Sequence, residues 1–176
     1  MKNHFYFKDF ISPYQGIDHR RVIVRGVVLN DKNEVALNHV VSDDDFGHRD
    51  CYELPGGGKK KNETLREGVL REVEEEIGYK CHVITILGKV IDYYNYIKRE
   101  NHGFYYLLKA DTYVGTHQEE YEKRVIQEQI FVPIDEAIKL MEQVHDDGVG
   151  LLIAQREIPI LKLAKEYLEN EHLISK

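Results

Sequence analysis

Residues 57–79 read GGKKKNETLREGVLREVEEEIGY, and this stretch combines a glycine-rich loop with one complete helix. Thr64, with Glu67 three residues later, has the pattern of a capping box, so we expect the helix to begin there. Apolar side chains recur every four residues and predict one buried face, at Val69, Val73 and Ile77. Gly78 is the residue type that commonly ends a helix. The stretch therefore predicts a loop, an amphipathic helix and a defined stop.

The same helix carries three glutamates on one face, at Glu72, Glu75 and Glu76. Side chains three and four residues apart are neighbours on a helix, so these carboxylates repel one another. Their face borders the apolar stripe, where screening by water is weaker than on the far side of the helix. A divalent cation relieves such repulsion, and Mg²⁺ takes oxygen ligands. A solvated acidic face is the alternative interpretation for a helix without the preceding glycine loop.

The flanking sequence predicts a single α+β domain over residues 1–176, with a core of about 20–145. Apolar runs predict strands at 22–29, 34–40, 52–54, 83–94 and 102–109, and a strand that ends at 131–133. We expect a polar loop at 42–50 and a charged, irregular segment at 111–127. Amphipathic patterns predict helices at 134–144 and, at the carboxyl end, at about 157–171.

Composition narrows the classes of partner. The chain has 42% hydrophobic residues and a net charge of −7, whereas general nucleic-acid binders usually carry a basic stripe. No apolar run approaches the roughly 18 residues of a membrane helix, and the first 14 residues lack a secretory signal. Two cysteines, Cys51 and Cys81, are too few for a disulfide framework. We therefore expect a cytoplasmic protein that binds neither long nucleic acid nor membranes.

The spacing of residues 57–79 resembles the Nudix box of the Nudix (MutT-like) hydrolase family, G-x5-E-x7-R-E-U-x-E-E-x-G-U, where U is a bulky aliphatic residue. Val73 fills the first U position, whereas Tyr79 at the second departs from the pattern. Every fixed position matches, namely Gly57, Glu63, Arg71, Glu72, Glu75, Glu76 and Gly78. The match covers 23 residues directly, and the resemblance implies a Nudix fold, a mixed β-sheet sandwiched between α-helices.

The resemblance also implies roles for these residues. Carried over by position, the metal ligands for Mg²⁺ or Mn²⁺ are Glu72, Glu75, Glu76 and the carbonyl of Gly56. Glu72 is alternatively the general base, since members of the family differ in which carboxylate acts as the base. Arg71 is expected to orient the catalytic carboxylates, and the structural positions of the box are Gly57, Glu63 and Gly78.

Further candidate residues lie outside or beside the fixed positions. Glu128, just before the strand end at 131–133, is a candidate catalytic carboxylate or else an ordinary surface glutamate. The alternative candidates for the catalytic role, in the same charged segment, are Glu119, Glu120 and Glu122. Lys59, in the run Lys59-Lys60-Lys61, is a candidate phosphate ligand or a solvated charge. Tyr96 can stack on a nucleobase or merely pack in a strand.

The expected activity is Mg²⁺-dependent cleavage of a pyrophosphate bond in a nucleoside diphosphate linked to another moiety. Nucleoside triphosphates, nucleotide sugars, ADP-ribose and dinucleoside polyphosphates all satisfy this description. The alternative function is a Nudix-fold module that senses a nucleotide without cleaving it. Such modules often lose carboxylates of the box, and this chain retains them all. The sequence leaves a homodimer open.

Overall fold

A mixed β-sheet with helices on both faces forms the framework of the chain, whose computed structural model describes residues 3–45, 47–144 and 148–171. The strands in these ranges are β1 (His4–Phe7), β2 (His19–Leu29), β3 (Val35–Asp44), β4 (Gly47–Glu53), β5 (Gly56–Gly58), β6 (Tyr79–Tyr94), β7 (Arg99–Tyr113) and β8 (Ile126–Val132). The helices are α1 (Leu65–Ile77), α2 (Glu120–Val125), α3 (Ile134–Glu142) and α4 (Val149–Asn170). None of the helices described is long and apolar enough to cross a membrane.

The order of the main sheet is β1-β6-β7-β2-β3-β4, with β5 paired to β2 and β8 paired to β3. Two pairs are parallel, β1 with β6 and β2 with β7, and the other pairs are antiparallel. The pairing partner of β2 changes along its length: Val24 lies opposite Gly57 of β5, whereas Leu29 lies opposite Val35 of β3. This divergence opens space between β5 and β3.

Side chains of β2 point alternately to the two faces of the sheet, and both sets are apolar, which explains why helices cover both faces of the sheet. Val24 and Val28 belong to one apolar cluster with the α1 side chains Val69, Val73 and Ile77. Val27 and Leu29, which point the other way, pack in a second cluster that includes side chains of α3 and α4. The expected α+β sandwich is therefore confirmed. The limits of a single 1–176 domain stay a prediction, because its first two and last five residues lie outside the described ranges.

The helix of the box forms as its sequence predicts. The Thr64 hydroxyl accepts from the Glu67 N–H, and the Glu67 carboxylate accepts from the Thr64 N–H. Gly78 ends α1 in the left-handed region, with φ of 75°. Both capping expectations are confirmed.

Three expectations about local structure are wrong. Instead of a loop, residues 42–44 and 47–50 belong to the paired strands β3 and β4, where the Arg49 guanidinium donates to the Ser42 hydroxyl and pairs with Asp44. The irregular segment contains the end of β7 and the whole of α2. The last helix begins at Val149, and Pro159 lies inside it. A proline inside a helix costs about 3 kcal/mol, which the buried side chains on both sides of it offset by packing.

Candidate functional site

A cavity of about 410 Å³ lies where β3 and β5 diverge. Its wall is built from β2, β5 and α1 on one side and from the β3–β4 hairpin, α2 and the start of α4 on the other. The glycine loop ahead of α1 therefore opens directly onto a concave surface. The carboxylates of the box that enter it are Glu72 and Glu76.

Glu72 and Glu76 meet a third carboxylate in this cavity, that of Glu122 from α2. One oxygen of each lies within 4.8 Å of the others. Glu72 and Glu76 are only 6% and 4% exposed, so little water screens their mutual repulsion. Burial raises the pKa of Glu72, of Glu122 and, most strongly, of Glu76. Three carboxylates at this spacing, two of them buried and one half-buried, suit a hard divalent cation, which prefers oxygen ligands and offsets their charge.

Glu76 is held in place by neighbours on two strands. The Gly56 N–H donates to its Oε2 over 2.9 Å, and the Asn38 side-chain amide donates to the same oxygen over 2.7 Å. The carbonyl oxygen of the same side-chain amide, Asn38 Oδ1, is buried and has no hydrogen-bond partner among the described residues. A buried acceptor without a donor beside a carboxylate cluster is consistent with space for a cation or its water.

Arg71 connects the glycine loop to the carboxylates. Its guanidinium lies 2.7 Å from Glu63, 2.9 Å from Glu72 and 2.7 Å from Glu75. The hydrogen bonds from Arg71 lower the pKa of Glu63 to about 2. Glu75 is directed to Arg71 and to Lys60, whose Nζ lies 3.6 Å away, and it is outside the three-carboxylate cluster. The structure therefore brings together two of the three glutamates that share the helix face.

The main chain comes close to this cluster at Gly57. A Cβ atom there would lie 2.6 Å from one oxygen of Glu72 and 2.9 Å from its carboxyl carbon. Contacts this short do not occur, so any side chain at residue 57 would displace the carboxylate. The glycine at the first position of the box is thus required by close approach rather than by an unusual backbone angle.

Five arginines line the same cavity, although the whole chain is acidic: Arg21, Arg25, Arg49, Arg99 and Arg156. Arg25 and Arg156 are buried and form ion pairs with Glu157, which is itself fully buried. Burial alone would lower the pKa of Arg25, but the neighbouring Glu53 and Glu157 hold that pKa above its ordinary value. The cavity therefore combines a carboxylate cluster with a strongly cationic wall.

Three residues that the sequence suggests lie away from the cluster. Glu128 is on β8, 3.7 Å from the ring of His39, and it accepts from the Tyr52 hydroxyl. Lys59 donates to the carbonyl oxygens of the loop itself, at Lys60 and Glu63. Tyr96 lines a separate cavity of about 90 Å³ that shares Tyr94 and Val149 with the larger one. Their roles in catalysis or binding stay predictions.

The sequence interpretation missed other residues of the cavity. Glu122 was an alternative to Glu128, and its capping interaction with Glu119, three residues earlier, is the pattern that would have located α2. Asn38 interrupts an apolar strand, which is a signal for a buried polar role. Arg21 and Arg99 gave no such signal, because strand pairing alone brings them to the cavity.

Comparison with known proteins gives a consistent result. A family model described as the NUDIX domain matches residues 19–151. Nudix hydrolase 6 of Arabidopsis thaliana is 33% identical over 93 residues, which are 53% of this chain and 30% of that protein. An RNA pyrophosphohydrolase of Coxiella burnetii is 34% identical over 76 residues, which are 43% of this chain and 31% of that protein. The match thus spans less than a third of the length of either relative.

Solved structures share the fold at low sequence identity. A NUDIX hydrolase from Nitrosomonas europaea superposes with a TM-score of 0.64 at 16% identity, covering 84% of this chain and 90% of that one. A UDP-X diphosphatase superposes with a TM-score of 0.55 at 21% identity, covering 89% of this chain and 66% of that one. At these identities the likeness is one of fold.

Proposed function

The chain belongs to the Nudix family, and from that premise we propose that it is a divalent-metal-dependent pyrophosphohydrolase. The observation that carries the proposal is the cluster of Glu72, Glu76 and Glu122, set beside the glycine loop and facing a cationic wall. Carboxylates and arginines at one cavity suit a substrate that is itself anionic and carries phosphates. The names of the relatives, hydrolase and RNA pyrophosphohydrolase, also support pyrophosphate cleavage.

The proposed metal ligands are the three carboxylates of this cluster, together with the Gly56 carbonyl that the sequence suggests. Mg²⁺ or Mn²⁺ bound there would neutralise phosphate charge and lower the pKa of a bound water. Glu75 stays a candidate ligand, although Arg71 holds it at 2.7 Å in the structure. Arg71 is proposed to position the helix carboxylates, because one guanidinium contacts both Glu72 and Glu75.

The proposed reaction is attack by water on one phosphorus of a P–O–P linkage. The bridging oxygen leaves with the other phosphate, and a carboxylate of the cluster accepts the proton of the water. Donors from Gly56 and Asn38 both reach Oε2 of Glu76 and so fix the position of this carboxylate in the cluster. The two products each carry phosphate.

We propose a small nucleotide-type substrate with a diphosphate linkage and the cytosol as the compartment. The compartment is inferred from the sequence, whose two cysteines are too few for a disulfide framework. A homodimer is also proposed, and measurement of the molecular mass in solution tests it.

The test is hydrolysis of a panel of nucleoside triphosphates, nucleotide sugars, ADP-ribose and dinucleoside polyphosphates, with products resolved by chromatography. Activity should vanish with EDTA and return with Mg²⁺ or Mn²⁺. Glu76→Gln should lose at least about a hundredfold in turnover, or about 2.7 kcal/mol of transition-state stabilisation. The matched control is Glu74→Gln, which changes a glutamate of the same helix outside the cluster and should stay within about threefold of the wild type.

Two results would contradict the proposal. Full activity in a metal-stripped sample would exclude the metal mechanism. Tight binding of a compound from the panel without turnover of any would favour the nucleotide-sensing alternative.

A further inference from the structure

Two of the arginines that line the cavity, Arg21 and Arg99, differ from the rest in their surroundings. Among the described residues no carboxylate lies within ion-pair distance of either guanidinium. The Nε of Arg99 is buried without a hydrogen-bond partner, and its guanidinium lies 4.9 Å from the centre of the Tyr94 ring. Burial lowers the pKa of Arg99, so its charge is held at a cost that an anion would offset.

Each of the other arginines that line the cavity has a carboxylate partner. Arg25 pairs with Glu157, Arg49 with Asp44 and Arg156 with Asp92. Arg20, next to Arg21 in the chain, also has a partner, since its Nε lies 2.8 Å from Glu100. Lack of a partner is therefore particular to Arg21 and Arg99 and is not a general property of arginines in this part of the sheet.

Strand pairing places these two arginines together and close to the carboxylates. β2 and β7 are parallel, with His19 opposite Arg99, so Arg21 lies two residues further along the same face. The Arg21 guanidinium approaches Gly58 so closely that a Cβ there would lie 2.6 Å from it. Glu72 approaches the preceding residue, Gly57, in the same way. Gly57 and Gly58 are consecutive in β5 and face its opposite sides, and the cationic pair and the carboxylate cluster both line the same cavity.

We propose that Arg21 and Arg99 form a phosphate subsite that holds a phosphoryl group beyond the pyrophosphate being cleaved. The proposal rests on the function proposed above and names its substrate class, compounds with at least three consecutive phosphates. A guanidinium presents several N–H donors in one plane, which match phosphate oxygens two at a time. The carboxylate cluster holds one part of the polyphosphate through its cation, and the arginine pair holds the next phosphate.

A nucleoside diphosphate joined to an uncharged sugar leaves this subsite without a charged partner. Such a substrate would place its uncharged sugar hydroxyls against two guanidinium groups that lack a carboxylate partner, so neither positive charge would gain a counter-charge. Discrimination between the two substrate classes is therefore expected to come from Arg21 and Arg99 rather than from the residues of the box.

The first experiment measures binding alone, with methylene-bridged analogues of pyrophosphate and of tripolyphosphate that resist hydrolysis. Titration calorimetry in Mg²⁺ gives the ratio of the two dissociation constants for each protein. The wild type should bind the tripolyphosphate analogue more tightly, and Arg21→Met or Arg99→Met should reduce that preference at least about tenfold. Arg20→Met is the matched control, because it removes the same charge from the same strand and should keep the wild-type ratio.

The proposal is overturned if Arg21→Met and Arg99→Met keep the wild-type ratio, or if Arg20→Met lowers it equally. It is also overturned if the wild type shows no preference for the tripolyphosphate analogue. Unfolding midpoints measured in parallel ensure that all three variants are folded at the assay temperature.

A second experiment separates this proposal from the proposed function. Hydrolysis of a nucleoside triphosphate and of the corresponding nucleotide sugar is compared in the same proteins. If the arginine variants lose efficiency on the triphosphate and retain it on the nucleotide sugar, both proposals stand. If wild type and variants cleave the nucleotide sugar equally well and prefer it to the triphosphate, the subsite proposal fails and the metal-dependent hydrolase remains. If the binding preference is present and no compound is cleaved, the proposed function fails instead.

Discussion

At the level of single residues, local contacts around the cavity determine which carboxylate joins Glu72 and Glu76 in the cluster. Sequence spacing favours Glu75 and Glu128 as partners of Glu72 and Glu76, whereas the structure brings Glu122 within 4.8 Å of both. Glu75 is drawn away by Arg71, and Glu128 lies beside His39. A helix face determines which side chains are candidates, but the orientation of each one in the fold, such as that of Glu75 toward Arg71 of the same helix and of Glu128 toward His39 of β3, determines which of them enter the cluster.

Glu122→Gln tests this assignment. Loss of one carboxylate from the cluster should lower turnover on the best substrate at least about tenfold, or 1.4 kcal/mol, because the cation is held less tightly. Glu120→Gln is the control on the same helix, where the exposed glutamate pairs with Lys123. A loss in Glu128→Gln with none in Glu122→Gln would return the assignment to the sequence-based candidate.

Glu63 should make stability depend on pH in the acid range. Arg71 lowers the pKa of Glu63 from 4.5 to about 2. The charged carboxylate is therefore more stable in the folded state than in the unfolded state. That stabilisation is complete above pH 4.5 and is lost as pH falls toward 2. Glu63→Gln should therefore cost about 1–2 kcal/mol at pH 7 and progressively less from pH 5 to pH 3, measured by urea denaturation. A difference that stays constant across this range would contradict the proposed ion pair.

At the scale of elements, the end of α1 fixes where the following strand begins. Gly78 has φ of 75°, and the strand β6 starts at the next residue. The loop after β7 returns to the same point, since the Val114 N–H donates to the Gly78 carbonyl. A Cβ on Gly78 would lie 2.7 Å from the Tyr113 ring and 2.8 Å from the carbonyl carbon of Gly115. This glycine therefore meets two requirements, a left-handed backbone and close packing.

Gly78→Ala separates these requirements when compared with Gly115→Ala. Both positions have positive φ, but a Cβ on Gly115 meets nothing within 4 Å. Gly115→Ala should cost about 1–2 kcal/mol of unfolding free energy for the backbone alone. Gly78→Ala should cost at least about 1 kcal/mol more, because neighbouring atoms must move. Equal losses in the two variants would show that packing around the helix end adapts without cost.

At the scale of the whole molecule, α4 is attached to the sheet by a buried network of charges. Glu157 has no exposed surface, and its carboxylate lies 3.3 Å from both Arg25 and Arg156. Its other oxygen accepts from the Leu54 N–H, just before the glycine loop. The same helix supplies Val149 to the wall of the cavity. Attachment of α4 thus links the stability of the fold to the shape of the site.

Glu157→Gln should lower the unfolding free energy by about 3–5 kcal/mol, because it leaves two buried guanidinium groups short of a counter-charge. Glu166→Gln, which changes an exposed glutamate of the same helix, should stay within about 0.5 kcal/mol. Chemical denaturation followed by circular dichroism measures both. Similar stability in the two variants would mean that the network contributes little to holding α4.

Features that depend on neighbouring residues follow directly from the sequence. The capping of α1 by Thr64, its end at Gly78 and its buried apolar stripe depend on residues within a few positions of one another. The same holds for the pairing of Glu63 with Arg71, which lie eight residues apart in the chain, and the resemblance of the box to one family follows from this local pattern. The capping, the end and the apolar stripe of α1 agree with the sequence-based expectations.

The residues that complete the site from distant parts of the chain depend on how the strands pair and the helices pack. Glu122 reaches the cluster because α2 folds back over β3, and Arg21 and Arg99 become neighbours because β2 and β7 pair in parallel. The early start of α4 has the same origin, since buried packing outweighs the cost of Pro159 within the helix. Contacts between residues distant in the chain depend on register and crossover, which spacing along one segment does not encode. The helix of the box was therefore readable from the sequence, whereas the composition of the cavity around it was not.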